Sequence, residues 1–397
     1  MSIFDRVPDR ESSRAEKYTL REQLFGTEDV LPMWVADMDV ETPECVRNAV
    51  GKRAEHPVYG YEEMPDSAFE AQMAWTKRRH GFGMEREWLR YSHSVVASIS
   101  VAIQAFTEPG DEVVVQTPVY PPFFKQVLHN GRKVLDNPLR RDEAGDYRFD
   151  LDDLREKITP GTKLLLLCSP HNPVGRVWER AELEALAELC LEHGIRVFAD
   201  EIHSDLVYEG FTHIPFASLS PEVRDITATA IGPGKTFNVA GLAISTAAVA
   251  DAAMRERFDE VCEAIHFAQG TVFGHVGFEA AYREGEAWLE ALLKHLEANA
   301  RRLEATLSRF DGIGFTPPQG TYLAWLDCRG LGFGSDRKLR EFFVREAKLG
   351  LSPGISFGRE GSGFMRLNFA VPTPVMDEAL RRLERALSGK PDNGGVI

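Results

Sequence analysis

The chain has 397 residues, of which 43% are apolar and 27% are charged, an ordinary composition for a folded globular protein. This length exceeds what one hydrophobic core usually serves, so we expect two domains. Asp and Glu outnumber Lys and Arg by 61 to 46, which gives a net charge of −15 at pH 7. An acidic balance without a basic run argues against nucleic acid or an anionic membrane as a partner.

The five cysteines are scattered along the chain and form no C-x-x-C pair. This spacing argues against a disulfide framework and a structural zinc site, so no metal is expected. The N-terminal residues lack the apolar stretch of a signal peptide, and no window is apolar enough to cross a bilayer. We therefore expect a cytoplasmic protein, with a weakly patterned arm over the first thirty residues and a loose tail at 389–397.

Between about residues 94 and 250, helical patterns alternate with short apolar runs. Helices are predicted over Val95–Phe106 and Ala181–His193, and Gly194 is expected to end the second. Continuous apolar runs are typical of strands that are buried on both faces. These runs are Glu112–Gln116, Lys163–Cys168, Ile195–Ala199, Asp225–Ala230 and Ala243–Ala250. Strands that alternate with helices predict βαβ units and a mostly parallel sheet.

After Asp251 the pattern becomes mainly helical and then mixed. A long helix is predicted from about Glu284 to Phe310, followed by the strand-like pieces TYLAWLD and GFMRLNFA and a last helix near Val375–Leu387. This mixture indicates a second, smaller α+β lobe. We expect residues 1–50 to form the arm and part of the small domain, 51–285 the large ligand-binding domain, and 286–397 the rest of the small domain.

Four predicted strands are each followed by a side chain suited to chemistry. Tyr120 follows EVVVQ, Asn172 follows KLLLLC, Asp200 follows IRVFA and Lys235 follows DITATA. Ligands of open α/β sheets bind at the carboxyl ends of the strands. An aromatic ring, an amide, a carboxylate and an amine are therefore expected along one rim of the sheet.

These four groups suit pyridoxal 5′-phosphate (PLP). Its aldehyde forms a Schiff base with a lysine, here Lys235, and its pyridinium nitrogen pairs with an aspartate, here Asp200. Tyr120 can stack on the ring, and Asn172 can donate to its phenolate oxygen. A helix N-terminus can hold the phosphate through backbone N–H groups, and the predicted groups are those of Val95, Val96 and Ala97. Each residue alone has a commoner structural explanation, so the prediction depends on their combination.

The chain resembles the fold-type I PLP enzymes of the class I and II aminotransferase superfamily, and within it the MalY/PatB group of cystathionine β-lyases. The resemblance extends from Leu31 to about Leu387. It rests on LPMWVADMDV (31–40), HPVYGY (56–61), VVVQTPVYPPFF (113–124), CSPHNPVGRVW (168–178), ADEIHSDLV (199–207), KTFNVAGL (235–242), GEAWLEALL (285–293), GTYLAWLD (320–327) and GFMRLNFA (363–370). A generic aminotransferase more often carries Tyr where His203 stands.

The resemblance implies a PLP-dependent transferase-like fold, with a mostly parallel seven-stranded sheet, helices on both of its faces and a smaller α+β lobe. It implies that Lys235 holds PLP and moves the substrate Cα proton, and that His203 belongs to the cofactor site. Arg366 would bind the substrate α-carboxylate as a two-donor fork, with the backbone of Ala36 nearby. Tyr61 would reach the phosphate of a neighbouring subunit, which implies a homodimer.

The implied reaction is β-elimination from cystathionine or another S-substituted cysteine, which gives a thiol, pyruvate and ammonia. Two alternatives remain open on the sequence: an aminotransferase acting on an L-amino acid, and a regulatory binding protein, because some members of the group also bind a transcription activator.

Three positions depart from the group's pattern. Gly234 stands where Ser is usual, Gly232 lacks a hydroxyl, and Thr271 stands where Asn is expected, which leaves one phosphate contact and the substrate choice open.

Overall fold

The computed structural model describes residues 3–143, 145–267 and 270–389. The tail that the sequence predicts to be loose lies outside the described residues from position 390 onward. The helices are α1 (Glu16–Thr19), α2 (Arg21–Phe25), α3 (Glu44–Ala54), α4 (Asp66–His80), α5 (Val95–Phe106), α6 (Pro122–His129), α7 (Leu151–Lys157), α8 (Arg180–His193), α9 (Pro221–Asp225), α10 (Pro233–Thr236), α11 (Ala252–Ala264), α12 (Val272–Glu284), α13 (Glu286–Leu307), α14 (Asp336–Arg345) and α15 (Thr373–Ser388).

The strands group into sheets of seven, four, two and two. The strands are β1 (Leu31–Pro32), β2 (Leu89–Ser92), β3 (Glu112–Val115), β4 (Lys133–Asp136), β5 (Arg140–Arg141), β6 (Tyr147–Arg148), β7 (Thr162–Cys168), β8 (Arg196–Asp200), β9 (Thr227–Ile231), β10 (Ser245–Val249), β11 (Gly314–Phe315), β12 (Leu323–Asp327), β13 (Leu349–Gly350), β14 (Ser352–Pro353) and β15 (Phe364–Asn368).

Backbone contacts divide the chain into two compact units. The larger unit comprises Thr42–Asn172 and Arg176–Ala291. The smaller unit comprises the residues up to Glu41, the short segment Pro173–Gly175 and the residues from Leu292 onward. The domain ranges expected from the sequence remain a prediction. Among the described helices, none has both the length and the apolar content that a membrane crossing requires.

The larger unit is built on the seven-stranded sheet, in the order β2-β10-β9-β8-β7-β3-β4. The five strands from β9 to β4 run parallel, and β10 runs antiparallel to both of its neighbours. The predicted apolar runs therefore form the strands β3, β7, β8, β9 and β10, which confirms the mostly parallel seven-stranded sheet. The ends of the strands differ from the predicted runs by one or two residues; Asp225, for example, ends helix α9 before strand β9 begins at Thr227.

Both faces of this sheet are covered by helices. Val249 of β10 packs in one apolar cluster with Ile103 of α5 and Phe258 of α11. The preceding residue, Ala248, packs in a different cluster with Phe69 of α4. Successive residues of a strand point to opposite faces. The alternation explains why these strands are apolar throughout, and it places α5 and α11 on one face and α4 on the other.

The long helix predicted from about Glu284 to Phe310 is confirmed as α13 (Glu286–Leu307), whose ends lie two and three residues inside the predicted bounds. The structure ends α12 at Glu284 and begins α13 at Glu286, with Gly285 between them. A Cβ at Gly285 would lie 2.4 Å from the ring of Phe237. The backbone therefore approaches an aromatic ring at this point, which only glycine permits, and hydrophobic periodicity carries no signal for such an approach.

The smaller unit contains the four-stranded antiparallel sheet β11-β12-β15-β14. Strands β12 and β15 are the two strand-like pieces predicted from the sequence, and they pair with Trp325 opposite Arg366. The N-terminal residues are fixed to this unit by charge. Lys17 is fully buried, and its Nζ lies 2.7 Å from Oδ2 of Asp39, while Arg10 binds Asp39 and Asp37. Buried charges require such pairing, so this part of the predicted arm is ordered.

Candidate active site

The residues predicted to line one rim of the sheet follow the carboxyl ends of adjacent parallel strands. Asp200 is the last residue of β8, and it is in register with Cys168 at the end of β7 and with Ala230 near the end of β9. Lys235 lies on the short helix α10, just after β9. A backbone hydrogen bond links two of the rim residues, because the N–H of Tyr120 donates to the carbonyl of Asn172 at 3.1 Å.

Asp200 is the buried carboxyl group of this rim. Its side chain is buried, and burial raises its pKa to about 7, against lowering contributions from the N–H of Ile202 and the charge of Lys235. The Ile202 N–H donates to Oδ1 at 3.1 Å. Burial also raises the pKa of the neighbouring Cys168 thiol, and the charge of Asp200 adds to that effect. A buried carboxylate in these surroundings is suited to a further cationic partner.

Helix α5 begins at the edge of the same sheet, directly after β2. Its N-cap is Ser94, whose Oγ accepts the N–H of Ala97 at 3.2 Å. The carbonyl of Ser94 accepts the N–H of Ser98. The first N–H groups of a helix have no partner within the helix. Val95 and Val96 thus present backbone donors suited to an anion, whereas an anion reaching the third predicted donor would compete with the Ser94 hydroxyl.

The other predicted residues of the larger unit lie in different surroundings. Asn172 and His203 are buried, with 4% and 3% of their surface exposed. Tyr61, by contrast, is 93% exposed. Thr271, where Asn was expected, caps helix α12, because its Oγ1 accepts the N–H of Gly274 at 3.0 Å. This local role accounts for a hydroxyl residue at position 271.

The smaller unit brings Arg366 and the segment around Ala36 together. Arg366 is buried, its Nη2 donates to the carbonyl of Trp34 at 2.7 Å, and its guanidinium lies 4.8 Å from the ring centre of Phe357. The hydroxyl of Tyr322 donates to the carbonyl of Ala36 at 2.8 Å. A planar cation held by stacking, beside a backbone segment held by hydrogen bonds, is a preorganised site for a carboxylate.

Sequence analysis missed Asp205 and the residues around it. Asp205 is buried within the same DEIHSDLV motif as Asp200, and it accepts hydrogen bonds from Trp75, His80 and Thr236. The available signal was a third acidic residue in this motif, after Asp200 and Glu201. Its partner His80 lies 125 residues earlier in the chain, so the contact could not be read from spacing.

The larger unit fits PLP in the chemistry of its donors. The buried carboxyl of Asp200 suits a protonated ring nitrogen, because a cationic partner would favour its ionised form. Lys235 supplies an amine whose charge already acts on Asp200. The start of α5 supplies backbone donors for a phosphate. The three features match the ring nitrogen, the aldehyde and the phosphate of the cofactor.

The aminotransferase class I and II family matches residues 28–383. This chain belongs to that family. It is 42% identical to the cystathionine beta-lyase PatB of Bacillus subtilis over 97% of the chain and 100% of PatB. It is 32% identical to protein MalY of Escherichia coli, over 98% of the chain and 99% of MalY.

A solved structure of a PLP-containing protein has the same fold. The crystal structure of cystalysin from Treponema denticola, which contains PLP, superposes with a TM-score of 0.93 at 32% identity, over 97% of this chain and 98% of cystalysin. The predicted fold class and the predicted resemblance to the MalY/PatB group are therefore confirmed.

Proposed function

We propose that this chain is a PLP-dependent carbon–sulfur β-lyase that cleaves cystathionine or a related S-substituted cysteine. The observation that carries this proposal is the coupled pair of Lys235 and buried Asp200, at the ends of adjacent strands, in a chain 42% identical to a cystathionine beta-lyase along almost its whole length. The products would be a thiol, pyruvate and ammonia, and cystathionine would give homocysteine.

The cofactor would be held by residues of the larger unit. Lys235 binds it covalently through its amine, and Asp200 keeps its ring nitrogen protonated. Tyr120 stacks on the ring, and Asn172 and His203 contribute to the same site. Val95, Val96 and Ala97 bind the phosphate through the start of helix α5. These roles are supported by the placement of the residues at the strand ends and by the burial of Asp200.

When bound, PLP supplies an electron sink for the pair that remains on Cα after its proton is removed. Arg366 binds the α-carboxylate of the substrate, with the backbone of Ala36 beside it. The amine of Lys235 would be the base that takes the Cα proton. The Cβ–S bond then breaks and its electron pair leaves on sulfur, which a thiolate tolerates well. After addition of one water molecule, the three-carbon fragment leaves as pyruvate and its nitrogen as ammonia.

The assembly and location are further parts of the proposal. We propose a homodimer in which Tyr61 reaches the phosphate site of the partner subunit. Val58, Tyr59 and Tyr61 are 60%, 56% and 93% exposed in the isolated chain, and a contiguous exposed apolar patch of this kind supports such a role because it is typical of an interaction surface. The cytoplasm stays the expected compartment, in keeping with the free thiols of all five cysteines.

A substrate panel tests the reaction. Purified enzyme is incubated with L-cystathionine and with small S-alkyl cysteines, without added keto acid, and pyruvate and free thiol are measured. We expect both products in equal amounts, and none from Lys235→Ala. Borohydride is expected to fix PLP on Lys235, as mass spectrometry of the digest will show. Turnover that requires a keto acid and releases no thiol would identify an aminotransferase instead.

A further inference from the structure

Asp205 is a buried carboxylate that serves neither the cofactor nor the substrate in the proposed reaction. Its Oδ1 accepts the indole N–H of Trp75 and Nε2–H of His80, each at 2.9 Å, and the guanidinium of Arg79 lies 3.4 Å away. Burial alone would raise the pKa of Asp205, but the hydrogen bond and charge of His80, with the charge of Arg79, lower it overall. The group is therefore a fixed anion in the interior of the larger unit.

The remaining oxygen of Asp205 contacts the lysine helix. Oδ2 accepts the hydroxyl of Thr236 at 2.9 Å, and Thr236 directly follows Lys235 on α10. The next residue, Phe237, is fully buried, and its ring meets that of Trp75 edge-on with centres 5.5 Å apart. Two consecutive residues after Lys235 are thus held by two linked partners: Thr236 bonds Asp205, and Phe237 packs against Trp75, which itself donates to Asp205.

The cluster of polar side chains around Asp205 extends to Glu201, the neighbour of Asp200. The ring of His80 meets the ring of His213 edge-on, with centres 5.3 Å apart. Nε2 of His213 lies 3.1 Å from Oε2 of Glu201, and Glu201 directly follows Asp200. Glu201 also accepts the N–H of Phe216 at 2.8 Å, and it is buried. A continuous line of polar side chains, all buried except the partly buried His80, therefore joins the residue after Asp200 to the residue after Lys235.

We infer that Asp205 and Thr236 are positioning residues that hold the amine of Lys235 in register with the carboxylate of Asp200. The inference rests on the proposed function, since it assigns Lys235 the proton transfer. Helix α10 has only four residues, too few to hold its own geometry. Loss of the Asp205 contact would let the lysine backbone shift. A shift of about 1 Å in a reacting group can lower a rate by up to about a hundredfold.

The test uses the holoenzyme with Thr236→Val, which keeps the shape of the side chain and removes its hydroxyl. Exchange of the Cα proton of L-alanine in D2O is followed by NMR, because this substrate has no leaving group. We expect the maximal exchange rate to fall at least about fivefold with KM within about twofold, since the loss concerns the transition state. The pH midpoint of the cofactor's visible absorption is expected to shift, and Thr236→Ser is expected to restore both.

Thr227→Val is the matched control. Thr227 is equally buried and donates its hydroxyl to the carbonyl of Val223 at 2.6 Å, at the opposite end of strand β9 from Lys235. This variant is expected to leave exchange and absorption unchanged even where it lowers the melting temperature. If Thr236→Val does not fold, Trp75→Phe removes a different donor to Asp205 while keeping a ring against Phe237, and the same changes are expected.

A Thr236→Val enzyme with a lower melting temperature but wild-type exchange and absorption would show that the contact only stabilises the fold, and would overturn the inference. Failure of this inference can be told apart from failure of the proposed function. Proton exchange from alanine requires neither a thioether nor a keto acid, so it occurs in a lyase and in an aminotransferase alike. Pyruvate and thiol release by the wild-type enzyme test the lyase reaction separately.

Discussion

Gly232 lies directly against Ser245, the first residue of β10. A Cβ at position 232 would be 2.8 Å from the Cβ of Ser245 and 2.9 Å from its Cα. The backbone at Gly232 is extended, with φ at 177°, so the requirement for glycine concerns space and not conformation. At Gly234 a Cβ would lie 3.6 Å from the Cα of Ala240, an ordinary contact. The two departures from the family pattern beside Lys235 therefore have different physical meanings.

Replacing these glycines is expected to separate the two cases. Gly232→Ala should lower the free energy of unfolding by roughly 1–3 kcal/mol, the usual cost of overpacking a filled interior. Gly234→Ala should change the free energy of unfolding by less than about 1 kcal/mol, because the added methyl group would make only ordinary van der Waals contacts. Urea unfolding of the two variants under identical conditions provides the comparison. Equal losses at both positions would contradict the close approach of Gly232 to β10.

The stability of the cofactor-free protein should depend on Asp200. Its pKa in the folded chain, about 7, is raised above the ordinary value of 3.8, so its contribution to stability is fully present below about pH 4. That contribution is lost as the pH rises through 7. Asp200→Asn cannot titrate, so between pH 5 and pH 8 the apo variant should gain on the order of 2 kcal/mol relative to apo wild type.

Urea unfolding of both apo proteins at pH 5 and pH 8 measures this difference. Other titrating groups contribute equally to the two proteins and cancel. Loading with PLP should favour ionised Asp200 and reverse the order at pH 8, because the variant lacks the carboxylate. Parallel pH dependence of the two apo proteins would show that Asp200 is ionised throughout this range.

Arg366 should determine substrate affinity. Arg366→Lys keeps the charge and loses the planar fork, so KM for cystathionine should rise at least about thirtyfold, the equivalent of about 2 kcal/mol. Arg329→Lys is the control, because its guanidinium also lies 4.8 Å from a ring centre, that of Phe364, but its side chain is 57% exposed. Steady-state kinetics should find Arg329→Lys unchanged. An unaltered kcat/KM in Arg366→Lys would remove that residue from the substrate site.

Tyr61 should act only in a dimer. Light scattering at assay concentration is expected to give twice the chain mass, and Tyr61→Phe should raise the Kd for PLP about tenfold through loss of one hydrogen bond to a charged group. Tyr59→Phe is a close control, since its hydroxyl already donates to the carbonyl of Ala54 at 2.5 Å within the same chain. A fully active monomer, or equal effects of the two substitutions, would contradict the shared site.

The buried strands and the rim residues were accessible from the sequence because each obeys a local rule. A run such as KLLLLC is apolar at every position only if both of its faces are covered, and the structure confirms this in β7. Asp200 and Lys235 were found because chemistry-bearing residues follow such runs directly. The partners of Asp205 were not accessible, because His80 and Thr236 lie 125 and 31 residues away along the chain and meet it only through tertiary packing.

The antiparallel strand β10 also has a consequence for the loop that carries Lys235. Parallel neighbours need long crossover connections, whereas an antiparallel neighbour lets the chain return at once. Ile231 and Thr246 are register partners, so the segment between them, including Lys235, begins and ends on the same pair of hydrogen-bonded strands. Changes of length elsewhere in the chain, such as after β3, need not displace the lysine. An insertion within this segment would have to be absorbed entirely by the residues that hold the amine, so the length of this connection is tightly constrained.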